Sequence, residues 1–238
     1  MLGPLVNSAV LIVGGISGAA LSGKLPIRVK EAMPLSCGIV SVGIGAVMMG
    51  KVNAIPAVAL ALLTGALVGE LLYLERGLEL AIGWAQRRVE RMWPNERGNP
   101  RTENFVTKFV TSLVLFCASG MGVFGSIREG MTGDANILLA KSMLDLVTAT
   151  IFATELGFAV ALIAVPQFLI QGLLYFSATL LLPLVSPALL ADFSACGGLI
   201  MLATGLRICG IKLFPIVNML PALVLVMPFS AAWSSLFG

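Results

Sequence analysis

Histidine is absent from this 238-residue chain, and charged residues make up only 11% of it. Without histidine the chain lacks the commonest metal ligand and the usual general base at neutral pH. Cysteine is also scarce: Cys37, Cys117, Cys196 and Cys209 all lie in or at the ends of apolar runs, and none are spaced CxxC. A disulfide framework or zinc site is not expected from that pattern, nor is any cofactor. No GxSxG, HExxH or paired-aspartate metal motif occurs, so no enzyme is expected. A net charge of +3 gives no reason to expect a nucleic-acid partner. No polar stretch is long enough for a separate soluble domain.

Apolar length is what the sequence has in abundance. It is 58% hydrophobic, whereas soluble domains average about 45–50% apolar and about 25% charged. A membrane helix needs about 20 apolar residues. On that scale spans are expected near 4–22, 35–50, 55–75, 105–125, 135–156, 158–184, 194–209 and 214–236. The expected fold is therefore all-α, a single polytopic bundle of about eight spans over 1–238. The second and seventh spans are short and glycine-rich, and Pro166 and Pro183 predict a kink, tilt or break in the sixth. The first run lacks a basic leader and carries Asn7 early, so it reads as a membrane segment rather than a signal peptide.

Positive charge gathers in alternate loops. Lys24, Arg28 and Lys30, then Arg76 through Arg101, then Arg207 and Lys212 fall on one side; Lys51 and Arg128 fall on the other. The positive-inside rule then puts both termini outside the bacterial cytoplasmic membrane. Residues 76–104 form the one substantial polar region. Leu78, Ile82, Ala85, Val89 and Met92 recur there at helical spacing, with Arg87, Arg88 and Arg91 around the turn and Pro94 beyond. This predicts a basic amphipathic connector at the inner surface, serving either as a lipid or partner site or as an extension of the third span.

Three segments resemble one another. Cys37-Gly38 opens a small-residue helix followed by Asn53-x-x-Pro56-Ala57, and Cys196-Gly197 opens another followed by Asn218-x-x-Pro221-Ala222. Cys117 to Gly130 repeats the opening, with Asn136 after a longer connector. Three related hairpins are expected, 36–75, 116–156 and 195–236, with spans one to three and six to eight as an inverted-topology repeat. Asn53 and Asn218 read either as helix caps, with proline in the first turn, or as polar lining beside helix starts open to an anion. Gly14/Gly18 and Gly65/Gly69 form GxxxG faces suited to packing within a subunit or in a homodimer.

The residues most in need of an account are Lys141 and Asp145, inside the apolar run 136–155. Spaced four apart, they share one helix face and can pair. An unpaired charge at mid-membrane costs at least about 2.5–3.5 kcal/mol, so the pair should face protein or water. Asp145 lies about 15 Å down its helix and Lys141 about 9 Å. Function would make Asp145 a proton or cation site; a register-fixing ion pair is the alternative. Asn7, Gln167 and Gln171 add hydrogen-bonding groups to the first and sixth spans. Glu70 and Glu155 sit toward the inner ends of the third and fifth spans, either pairing with a basic group or reaching the interface.

Val6-Asn7, Gly65-x-x-x-Gly69-Glu70, Phe116-Cys117, Gly125-Ser126, Gly130, Gly133-Asp134, Lys141-Ser142, Asp145 and Asn218 with Leu220-Pro221-Ala222 together resemble a family of uncharacterised bacterial membrane proteins typified by YdfK and YqgA. Pro4 stands where that pattern leads one to expect threonine. The resemblance implies a multi-span prokaryotic inner-membrane protein and transfers no substrate. Two functions then compete. One is a transporter or permeation protein for a small polar solute or ion, coupled through Lys141 and Asp145, with Asn7, Asn53, Asn218, Glu70, Gln167 and Gln171 along the pathway. The other is a non-transporting scaffold or regulatory protein working through 76–104.

Overall fold

The computed structural model describes residues 1–22, 24–80, 84, 100–117, 119–180 and 186–237. The predicted amphipathic stretch, with Arg87, Arg88 and Arg91, lies outside them. The described residues form helices α1 (Leu2–Ala20), α2 (Ile27–Met49), α3 (Ile55–Leu71), α4 (Leu74–Leu80), α5 (Pro100–Cys117), α6 (Gly120–Thr132), α7 (Asn136–Leu156), α8 (Ala159–Leu162), α9 (Ala164–Thr179), α10 (Pro187–Ile208), α11 (Ile216–Met219) and α12 (Ala222–Phe237). Seven stretches are long and apolar enough to cross a membrane, and an eighth is added if α3 and α4, bent by 43°, count as one span. Tyr73 turns the chain at that bend with φ 52°, a left-handed conformation that costs a non-glycine residue about 1–2 kcal/mol.

Several boundaries differ from the expected ones. The second span begins at Ile27, directly after Pro26, and the seventh at Pro187, where Ser186 Oγ accepts from Leu189 N–H at 3.3 Å. Arg28, Lys30 and Glu31 dilute the apolar signal in the first turns of α2, whereas in α10 the first turn is apolar and Asp192 breaks the run behind it. The fourth span divides, since α5 ends at Cys117 and α6 starts at Gly120; Cys117 therefore does not open the second hairpin. The sixth breaks at Ile163 between α8 and α9, leaving Pro166 in the first turn of α9, where a missing N–H costs little. Pro183 lies outside the described residues.

Small residues decide which helices touch. Gly14 and Gly18 of α1 lie against Ala149, Thr150 and Ala153 of α7, so the two helices run parallel. Gly38 faces Gly205, and Gly45 faces Gly198, where α2 crosses α10 antiparallel. Gly65 and Gly69 of α3 meet Ala222 and Asn218, again antiparallel. Both GxxxG faces are thus occupied within the chain. Such approaches let backbones meet and make up in dispersion what lipid, as apolar as leucine, does not supply by exclusion.

Two apolar cores result. The larger gathers Met48, Val58, Phe124, Phe193, Ile200, Met201 and Val226 from α2, α3, α6, α10 and α12. The smaller gathers Leu11, Phe116, Ala149, Ala153, Val160 and Ile163 from α1, α5, α7, α8 and the α8–α9 break. The polar side chains considered next lie among and between these clusters.

Candidate functional site

Asn7 is the centre of a buried polar cluster. As α1 lies parallel to α7, its first turns stand beside Lys141 and Asp145; as it runs antiparallel to α9, the same turns stand beside Gln167 and Gln171. Lys141 Nζ donates to Asp145 Oδ2, and also to Asn7 Oδ1 at 3.3 Å. Asn7 Nδ2 donates to Asp145 Oδ2 at 2.8 Å. Gln171 Nε2 donates to Asn7 Oδ1 at 2.7 Å, while Gln167 Nε2 reaches both Asn7 Oδ1 and, at 3.3 Å, Asp145 Oδ2. All five residues are buried.

The electrostatics follow from this geometry. Taking two charges out of water is repaid only when the remaining donors and acceptors are also satisfied. Lys141 and Asp145 neutralise each other, and three amide side chains supply most of the rest. The satisfaction is incomplete. Gln167 Oε1, Gln171 Oε1 and Ser8 Oγ are buried without a hydrogen-bond partner among the described residues. Gly122 of α6 closes over the lysine: a Cβ there would stand 3.0 Å from Lys141 Cε and 3.4 Å from Gln171 Nε2.

A cavity of about 460 Å³ reaches this cluster. Lys141 and Asp145 line it together with Cys37 and Ser41 of α2, Phe116 of α5, and Leu144, Thr148 and Phe152 of α7. Its lining extends to Glu75, Arg207 and Val217 at the end of the bundle where α10 stops. A second polar group sits there. Arg207 Nη1 donates to Glu75 Oε1 at 2.6 Å and to the Phe214 carbonyl at 2.8 Å, and Val217 N–H donates to Glu75 Oε2 at 2.9 Å. Asn218 accepts from Glu75 N–H at 2.7 Å and donates to Glu70. Asn218 is therefore a bridge from α11 to the α3–α4 bend, and α12 starts without it as a cap. Arg207 pairs with Glu75 as well as reaching outward.

Asn53 stands apart from both groups. It is exposed, and no side-chain cap holds the start of α3. Its backbone N–H and that of Ala54 donate to Asp192 Oδ1 at 2.8 and 2.7 Å, while Ser230 Oγ donates to Oδ2 at 2.6 Å. The turn that leads into α3 is thus held by a fully buried carboxylate from another helix. Glu129, only 1% exposed, similarly accepts Gly3 N–H at 3.1 and 3.2 Å. Glu155 lies outside the central cluster and pairs with Lys108 at 2.6 Å and Lys30 at 3.9 Å.

Five of the eight residues singled out from sequence therefore converge: Asn7, Lys141, Asp145, Gln167 and Gln171. Glu70 and Asn218 meet near the cavity mouth, and Asn53 joins neither. Sequence reasoning passes over Glu75, Asp192 and Glu129. Glu75 and Glu129 lie near helix ends, where a carboxylate ordinarily reaches water, and Asp192 lies in the second turn of α10. The one signal in the sequence is that Asp192 follows an S-P helix start by several residues and so sits inside the span.

The fold and this site define a class, an all-α bundle with seven or eight helices of membrane-crossing length and a buried ion pair beside a cavity. The chain belongs to the family described as Protein of unknown function (DUF554), which it matches over residues 2–231. It is 50% identical over 237 residues to the Uncharacterized protein YqgA of Escherichia coli (strain K12), covering 100% of this chain and 99% of that one. It is 26% identical over 231 residues to the Uncharacterized membrane protein YdfK of Bacillus subtilis (strain 168), covering 94% and 93%. No solved structure matches.

Proposed function

We propose that the chain is a bacterial inner-membrane transporter or permeation protein for a small polar solute or ion, moving through the cavity that ends at Lys141 and Asp145. The observation that carries this is the cavity itself, which links a buried ion pair with incompletely satisfied neighbours to the bundle end marked by Glu75 and Arg207. Intramembrane charges facing a protein interior are a mark of solute and ion pathways. The antiparallel crossings of α2 with α10 and α3 with α12 support an inverted repeat, a plan shared by many secondary transporters. In this reading the site binds and passes a solute and does no covalent chemistry.

Orientation follows from charge. Lys24, Arg28, Lys30, Arg207 and Lys212 gather at the end opposite the chain termini, so that end faces the cytoplasm and the cavity opens inward. The test uses vesicles. In a variant with all four native cysteines replaced by serine, Thr148→Cys should react with a membrane-impermeant thiol reagent only from the cytoplasmic side. Proteoliposomes should take up at least one solute from a panel of amines, amino acids and carboxylates. A thiol at position 148 sheltered from both sides, with no uptake above empty vesicles, would sink the proposal.

A further inference from the structure

We infer that the cavity accepts a small organic cation, an ammonium group on an apolar body, anchored by Asp145. This rests on the cavity being the solute site proposed above. The two members of the ion pair do not face the cavity equally. The Lys141 side chain keeps 2% of its exposure and that of Asp145 keeps 12%. Every hydrogen bond to Asp145 falls on Oδ2, which leaves Oδ1 without a partner among the described residues. Both residues line the cavity, but an entering solute meets the less covered carboxylate first, with the lysine more deeply buried beside it.

The neighbouring polar atoms match the same class. Thr148, three residues beyond Asp145 on α7, spends its hydroxyl proton on the Leu144 carbonyl at 2.9 Å. Ser41 spends its own on the Met201 carbonyl at 3.0 Å. Both residues line the cavity, and their hydroxyl oxygens keep lone pairs that can accept. An ammonium brings three donors and no acceptor, so it complements Asp145 Oδ1 and these hydroxyls. A carboxylate would find those same protons already engaged.

The walls decide between an organic cation and a bare alkali ion. Phe116 and Phe152 meet edge to face, 6.2 Å between centroids, beside Leu115, Met121 and Leu144. Aromatic faces attract cations, and an apolar lining favours an apolar body. An alkali ion must instead have its hydration shell replaced by a ring of oxygens, which these walls do not offer.

The experiment compares benzylamine, benzyl alcohol and benzoate, three probes of nearly the same size and different charge, on the purified full-length protein in detergent at pH 7. Benzylamine should raise Tm on the order of 5 °C at a hundredfold excess over its Kd, and the other two should not. Leu144→Trp, which fills the cavity while keeping both Lys141 and Asp145, should abolish that rise, and Thr148→Val should reduce it; neither depends on an Asp145 variant folding. A rise with benzoate or benzyl alcohol as large as with benzylamine, lost in Leu144→Trp, overturns the cation while leaving a solute cavity in place. If no probe shifts Tm, the cation inference falls; labelling at Thr148→Cys then shows whether the cavity proposal falls with it.

Discussion

Two buried aspartates in this protein are satisfied in opposite ways. Asp192 is held by two peptide N–H groups at the start of α3 and by the Ser230 hydroxyl. Asp145 is held by side chains alone, from α1, α7 and α9, and one of its oxygens is left over beside a cavity. Peptide donors in the turn before a helix are fixed by the backbone, so they hold a carboxylate in a single state. Amide and ammonium side chains can rotate, exchange partners and share an acceptor with a newcomer. The first arrangement suits a strut and the second a binding site.

The largest expected effect comes from breaking the second arrangement. Lys141→Met leaves Asp145 buried beside neutral amides and should cost about 3–5 kcal/mol, read as a fall in Tm in detergent. Adding Asp145→Asn to that variant removes the stranded charge and should recover most of the loss. A double variant no more stable than the single one would mean that the pair is not the coupled unit described here. Next in size is Asp192→Ala, which orphans the buried Ala54 N–H, the part-buried Asn53 N–H and the buried Ser230 hydroxyl. About 2–3 kcal/mol is expected, with any benzylamine response retained in the fraction that folds.

Gly18→Ala separates the two regions by another route. Its Cβ would run into the Thr150 carbonyl and Ala153, forcing α1 off α7 and drawing Asn7 away from Asp145. A cost of about 1–3 kcal/mol is expected, together with a weaker benzylamine shift. The Asp192 group does not involve α1 and should be untouched. Gly43 is the control, since nothing lies within 4 Å of a Cβ there. Gly43→Ala should be neutral or stabilising by up to about 1 kcal/mol.

The contrast between the aspartates is only half legible in the sequence. Lys141 and Asp145 declare themselves because two opposite charges four apart inside an apolar run must pair or find water. Asn7, Gln167 and Gln171 stand out as polar residues in apolar helices, but their meeting depends on α1 lying parallel to α7 and antiparallel to α9. Local pattern carries no information on that arrangement beyond the glycines that permit it. Asp192 escapes notice because the apolar signal starts the seventh span near 194 rather than at Pro187, which puts the aspartate in a loop. Asn53-x-x-Pro and Asn218-x-x-Pro look alike, yet the backbone of one is held by Asp192 and the side chain of the other turns inward to Glu70 and Glu75. Equal local spacing is resolved by different tertiary neighbours.

The smallest expected loss is also the sharpest discriminator. Asp192→Asn keeps an acceptor of the same shape for Asn53 and Ala54 N–H, and the Ser230 hydroxyl can turn to accept from the new amide. What is lost is the charge at the start of α3, worth about 0.3–1 kcal/mol, so Tm should move by only a few degrees. The same substitution at Asp145 strands the Lys141 ammonium in a buried site and removes the oxygen that faces the cavity. It should therefore lower Tm far more and abolish the benzylamine shift in whatever folds. Equal losses at the two positions would mean that both carboxylates are held as structural charges, and the distinction between strut and binding site would not stand.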